Sequence, residues 1–418
     1  MLFLQVNFII CELVALLLGF FFRIQLSPTK VSPTTRHVFQ VVIGLSLTYF
    51  CFGSQILHLF AQTFVCYFLM HTLRPGVMEK VVLLVAMSYL AMCHIYRVVY
   101  DYGGYTLDIT GPLMVNTQRL SCLAFSLTDG SSKDESKLSP TLKYHASKKW
   151  PGLLEFCSYI LCFSTCMCGP VCFYQDYIAF IEGTGYDAGK KENDKIIRGE
   201  PPSPVPAMLK TLVWAALTGA VMMIILPRYP IPFMKGQAVN LSSGLGYNKK
   251  DKDGNDRWDL MDNADIVQVE MSTSLKMLLD NWNKTTSYWL RYVVYERVHS
   301  TLGVFFVSAF WHGFYSGYYL TFMTGAVFIN TSRLVRRKIR PWFQKTPAMA
   351  FLYDILTFIT TRIAIAYLVF PFVFLEFWPS LETYASMYYW FHIIVGAFMV
   401  VLPLIHTSGS KPSEKKTQ

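Results

Sequence analysis

Apolar runs of roughly membrane-spanning length recur along the whole chain, near residues 3–22, 38–60, 61–73, 80–100, 112–127, 152–174, 207–226, 302–330, 350–375 and 386–406. A helix rises ~1.5 Å per residue, so about 20 apolar residues cross the ~30 Å hydrocarbon core of a bilayer. Several runs are short or interrupted by Pro and Gly, which predicts segments that re-enter or lie along the interface. The expectation is an all-α polytopic membrane protein with eight to eleven transmembrane or re-entrant helices. Charge agrees: 15% of the 418 residues are charged, against about 25% in soluble domains. Mean hydropathy is +0.34. No soluble domain can be cut out, so residues 1–406 read as one integral membrane domain followed by a tail, 407–418. The first segment lacks a basic leader and a small-residue cleavage site, and reads as a retained membrane helix.

The net charge of +10 is concentrated in short connections. That suits membrane topology and anionic headgroups, and also a polyanionic co-substrate, while no nucleic-acid partner is expected. The basic stretch RLVRRKIR, residues 333–340, should face the cytosol. If the two apolar runs after it both cross, the tail is cytosolic as well. There Lys415 and Lys416 have the spacing of a dilysine retrieval signal in KKTQ, which implies endoplasmic-reticulum residence and a COPI-type retrieval partner. Polar connections at 128–150, 183–206 and 236–268 read as solvated loops, and DKDGNDRWD (251–259) reads as a turn because Gly254 is misplaced for a calcium loop. The cysteines at 157, 162, 166, 168 and 172 contain no CxxC pair and lie near no histidine, so buried packing is expected, with neither metal nor disulfide. Asn240, Asn283 and Asn330 begin glycosylation-type triplets, which matter only in a lumen.

Within the run 302–330, SAFWHGFYSGYY places His312 where an ionisable side chain is costly. On one continuous helix, Ser308, His312, Tyr315, Ser316 and Tyr319 would form a polar stripe beside a small-residue row of Ala309, Gly313 and Gly317. Such a stripe could line an intramembrane cavity, or His312 could simply bond across two helices. Upstream, residues 278–298 carry Trp282, Asn283, Trp289, Arg291 and Arg297. The aromatics suit packing or a substrate wall, and the arginines suit phosphate binding or a helix-end anchor. A hairpin turning near Ser300 would leave Asn283 ~25 Å and His312 ~18 Å from the turn, so spacing alone does not join them.

The segments RWDLMDN (257–263), VEMSTSLKMLLDNWNKTTSYWLR (269–291) and SAFWHGFYSGYYLTF (308–322), with CFGSQILHLF (51–60), resemble the membrane-bound O-acyltransferase family. The likeness is to its lysophospholipid branch and covers nearly the whole chain. It implies a fold of helices around an intramembrane tunnel, with no cofactor, and acyl transfer from acyl-CoA to a lysophospholipid in phospholipid remodelling; the alternatives are a sterol, diacylglycerol or peptide acceptor on the same fold, or a transporter in which His312 relays protons. The family's histidine falls on His312 and its asparagine on Asn283. As a neutral imidazole His312 would take the hydroxyl proton, and Asn283 would orient the reactants or donate to the oxyanion. Trp282, Trp289, Arg291, Arg297, Ser308, Trp311, Tyr315 and Ser316 are the candidate substrate contacts. The stretch GLGYNKK (244–250) departs from the family in lacking a small residue after Asn248, and the N-terminal region is shorter than usual.

Overall fold

Hydrocarbon offers no water to a backbone N–H or C=O, so a chain this apolar closes its backbone bonds within helices. The computed structural model describes residues 2–104, 107–132, 134–186, 190–192, 195–213 and 241–405. The chain divides into two units. The first comprises residues up to Asn263 plus Thr285–Arg297, and the second Ala264–Lys284 plus the chain from Val298 onward.

The first unit contains α1 (Leu2–Gln25), α2 (Pro33–Phe52), α3 (Ile56–Thr72), α4 (Met78–Tyr100) and α5 (Thr110–Gly130), followed by the short α6 (Pro140–His145), α7 (Leu153–Ile160) and α8 (Tyr174–Glu182). The connection expected as a loop at 183–206 holds a small antiparallel hairpin, β1 (Lys190–Glu192) and β2 (Lys195–Ile197). The second unit contains α9 (Ile266–Glu270) and α10 (Leu275–Asn281). Helix α11 (Lys284–Leu290) then continues through a π turn, Arg291–Tyr295, in the returning segment of the first unit. The second unit resumes with α12 (Thr301–His312), α13 (Ser316–Lys338), α14 (Arg340–Phe343), α15 (Pro347–Phe374), α16 (Phe377–Ser386) and α17 (Trp390–Leu404).

Among the described residues, four stretches are long and apolar enough to cross a bilayer: Leu4–Gln25, Pro33–Thr72, Met78–Tyr100 and Pro347–Phe374. The α16–α17 pair, bent by 81°, adds a fifth if it counts as one span. Among the described residues, the other expected segments form helices that are shorter or more polar. Two apolar runs differ from expectation. Run 152–174 is helical only over Leu153–Ile160, and Gly169 and Pro170 keep its second half from resuming a helix. Run 302–330 is two helices, α12 and α13. The 251–259 segment is the expected turn: Asp251 Oδ1 accepts from the Asp253 and Asn255 N–H groups at 2.9 Å each, and Gly254 takes φ +82°. Among the described residues no group of side chains could hold a metal, and all ten cysteines are free. Asn240, most of the run 207–226, and the tail with Lys415 and Lys416 lie outside the described residues.

Helix α5 is buried on nearly every side despite its polarity. Several of its polar side chains bond to neighbouring segments. Asn116 donates to Gln62 Oε1 (2.8 Å) and Thr63 Oγ1 (3.0 Å), and Gln62 donates to Ala86 O (2.9 Å) and Thr117 Oγ1 (2.9 Å). Arg119, 1% exposed, donates to the carbonyls of Tyr159 (3.1 Å) and Ile160 (2.6 Å) and to Thr165 Oγ1. Those carbonyls end α7 and have no continuing helix to serve them. Arg36 does the same at the end of α8, donating to Phe180 O at 3.2 Å while its guanidinium lies 4.2 Å from the Phe22 ring centre.

Replacing Arg119 with leucine would leave these buried acceptors without a donor. The expected cost is about 3 kcal/mol or more, read as a clear fall in the thermal unfolding midpoint of the detergent-solubilised protein. An unchanged midpoint would refute the cap.

Candidate active site

His312 is the last residue of α12. The helix starts at Ser300, whose hydroxyl accepts from Gly303 N–H at 3.1 Å. It stops because Gly313 takes φ +121°, returning its N–H to Ala309 O and Phe310 O at 3.2 Å each. Helix α13 then begins at Ser316. The expected stripe from Ser308 to Tyr319 is therefore not one helix face, and Ala309, Gly313 and Gly317 are not one row. Gly313 breaks the helix, while Gly317 allows a close approach. A Cβ on Gly317 would lie 2.0 Å from Pro371 O. The Gly317 N–H instead donates to Leu375 O at 2.9 Å, so the start of α13 is satisfied by the end of α15. Ser316 Oγ makes a looser contact to the same carbonyl at 3.4 Å.

That junction brings Phe372 against His312. The imidazole stacks on Phe322 (centroids 5.0 Å, 24°) and meets the edge of Phe372 (5.4 Å, 87°), with Trp311 at 4.8 Å and Tyr318 at 6.0 Å. Aromatic packing of this kind fixes ring orientation. His312 is partly buried, whereas Ser308, Trp311 and Tyr315 are buried.

Asn283 lies in the bend between α10 and α11, at φ +49°. Asparagine is among the few side chains that tolerate this left-handed conformation. Ser274 caps α10, accepting from Met277 N–H at 3.1 Å. Leu275 and Leu279 seat α10 against Phe328 and Ile329 of α13 and Ala364, Tyr367 and Leu368 of α15. Asn283, just after α10, and His312, at the end of α12, thus belong to one unit, and both helices pack on α13. Phe322, under His312, and Phe328, under α10, are six residues apart, ~9 Å along the axis.

The remaining candidates divide. Trp282 is 57% exposed. Arg291 is exposed and pairs with Glu296 at 3.4 Å. Trp289, 0% exposed, is a packing residue that donates from Nε1 to Ser121 Oγ at 2.9 Å. Arg297 takes the anchoring role: it clasps Asp129 with both terminal nitrogens (2.9 and 2.7 Å), while Tyr292 donates to the same carboxylate at 3.0 Å. A π turn brings residues five apart onto one face, which lets Tyr292 and Arg297 share Asp129. Gln118 donates to Thr286 Oγ1 at 3.1 Å, and Tyr288 meets His145 Nε2 at 3.1 Å. The α11 segment is thereby fastened to α5 and α6. Gln118, Ser121, Asp129, Phe322, Phe372 and the distinct role of Gly317 escaped the sequence reading. Asp129 alone left a signal, as an acid at the end of an apolar run.

The chain matches the family model described as MBOAT, membrane-bound O-acyltransferase family, over residues 94–240 and 237–370. It is 40% identical over 440 residues to lysophospholipid acyltransferase 6 of Drosophila melanogaster, an alignment covering 95% of this chain and 61% of the fly protein. It is 38% identical over 453 residues to membrane-bound glycerophospholipid O-acyltransferase 2 of Gallus gallus, covering 98% and 87%. It is 36% identical over 441 residues to membrane-bound glycerophospholipid O-acyltransferase 1 of Mus musculus, covering 96% and 90%.

Adding one methyl group separates the two uses of helical glycine. Gly317→Ala forces α13 off the Pro371 carbonyl and is expected to destabilise by about 1–3 kcal/mol. Gly396→Ala, with nothing within 4 Å of the new Cβ, should be neutral or stabilising by up to ~1 kcal/mol. Thermal unfolding of the two variants side by side checks the contrast.

Proposed function

The chain belongs to the membrane-bound O-acyltransferase family, and from that premise we propose that it transfers an acyl chain from acyl-CoA to the free glycerol hydroxyl of a lysophospholipid. The observation that carries this reading is the joint placement of His312, at a helix end among Phe322, Phe372 and Tyr318, and Asn283, at a left-handed bend, on helices packed against the same α13. The name of the fly relative, lysophospholipid acyltransferase 6, supports the lysophospholipid as acceptor.

The chemistry is set by the two side chains. The neutral imidazole of His312 accepts the hydroxyl proton as the oxygen attacks the thioester carbonyl. General-base help of this kind is worth about 10²–10⁴-fold. The Asn283 carboxamide orients the acceptor or donates to the oxygen that gains charge. The tetrahedral centre then expels the CoA thiolate, which takes up a proton. No enzyme nucleophile is required, so transfer is direct within a ternary complex. Acyl chains partition into hydrocarbon while CoA is polyanionic and aqueous, so a reactive pair inside the membrane meets both. The proposed setting is the endoplasmic reticulum membrane, with phospholipid remodelling as the role.

Microsomes containing the protein, given labelled oleoyl-CoA and lysophospholipids with ethanolamine, serine or choline headgroups, test the reading. His312→Ala should abolish transfer while accumulating like the wild type, and full activity in that variant would remove the imidazole from the reaction.

The left-handed backbone of Asn283 supplies a second test. Asn283→Gly deletes the carboxamide and keeps the bend, whereas Asn283→Ala adds about 1–2 kcal/mol of backbone strain. Both should lose about 10²-fold or more in kcat, with only the alanine variant less stable. A glycine variant with wild-type kcat would reduce Asn283 to a conformational role.

A further inference from the structure

We propose that Asn263 is a positioning residue for this reaction: it takes over the capping of α11 and thereby holds Asn283 in its left-handed bend with the carboxamide turned from cap to reactant. The inference rests on the proposed acyl transfer, because it assigns Asn263 a task only if the Asn283 side chain does chemistry.

The geometry is local. Helix α11 begins at Lys284, so Asn283 occupies the position before its first residue. Asparagine there normally adopts extended backbone and bonds its side-chain oxygen to the N–H two or three residues on. At φ +49° Asn283 is outside that conformation. The N–H of Thr285, at the second helical position, goes instead to Asn263 Oδ1 at 3.2 Å. The Thr285 hydroxyl donates to the same oxygen at 2.7 Å. One carboxamide oxygen from a distant stretch thus replaces the local cap. On the other side of the bend, the carbonyl of Asn281, which ends α10, accepts from Asp265 N–H at 3.0 Å. Residues 263–265 therefore bond to the chain two residues before and two residues after Asn283.

Without the Asn263 bond, the Thr285 amide would be an orphan donor at a helix start. Asn283, the residue best suited by chemistry to satisfy it, could do so by rotating to the extended conformation. That rotation would turn its carboxamide toward its own helix. Asn263 thus removes the competing local hydrogen bond, and the left-handed state no longer costs an unpaired backbone group. This gives a task to the DN end of RWDLMDN, which the roles of His312 and Asn283 leave unexplained.

The test combines exchange and kinetics on the full-length protein in detergent or microsomes. In Asn263→Ala, hydrogen–deuterium exchange should rise in peptides spanning 281–287 and stay unchanged in α12 and α13. The kcat should fall about 100-fold, the loss expected when a catalytic group is misplaced by about 1 Å, with KM for acyl-CoA and lysophospholipid unaltered. Asn263→Asp, which keeps the acceptor, should recover most of the rate. In an Asn283→Gly background Asn263→Ala should cost nothing further, since residues acting through one another are not additive. Wild-type exchange at 281–287, a change in KM alone, or full additivity would each overturn the proposal. If Asn263→Ala fails to fold, Thr285→Val removes one of the two bonds and should give a smaller change in the same direction, with Thr285→Ser as its rescue. Because exchange reads the bend without any turnover, a wild-type protein that acylates no lysophospholipid would sink the functional reading separately.

Discussion

The constraint on which the rest depends is the satisfaction of backbone polar groups at helix ends that lie among apolar side chains. A continuous helix closes its own bonds, but every break exposes donors at one end and acceptors at the other. In water such ends are solvated, whereas in hydrocarbon each open group costs several kcal/mol. This chain breaks its helices repeatedly and brings specific partners to the breaks. Arg119 and Arg36 cover the carbonyls ending α7 and α8. Leu375 O receives the Gly317 amide at the start of α13. Asn263 receives Thr285.

The breaks are also where the chemistry sits. His312 ends α12 and Asn283 precedes α11. A side chain in mid-helix is surrounded by its own turns, while one at a terminus can project into space left by the break. The supports lie close by: Gly313 and Gly317 shape the α12–α13 junction, and Phe322 and Phe372 set the imidazole plane. Polar contacts from α5 and α6 secure the segment after Asn283. The polar character of α5 therefore has a structural account in these contacts.

Much was legible in the sequence because some physical signals are local. Apolar runs reported the helices, the misplaced glycine excluded a calcium loop, and the WN and WHG segments carried the resemblance to the family. The errors concern where helices stop. The stripe from Ser308 to Tyr319 assumed helical continuity through Gly313, and a single glycine does not reveal whether it breaks a helix or merely packs in one. The end of α7 left no such mark at all, since it falls at Ile160 inside an unbroken apolar run. Arg297 read equally as a phosphate ligand or an anchor until Asp129, far away in sequence, was found beside it.

By itself the sequence determined that this chain must live in a bilayer, that its elements would be helices, and that an ionisable His312 would sit within an apolar run, with Asn283 in a polar, aromatic segment upstream. Those outcomes follow from composition and short-range periodicity, which hydrocarbon enforces on any fold. Tertiary structure alone decided where the helices stop, which glycine meets a carbonyl, which arginine is committed to an acid, and which distant asparagine caps α11. These depend on contacts between residues far apart in the chain, and a hydrogen-bond donor carries no local mark of the acceptor that will satisfy it.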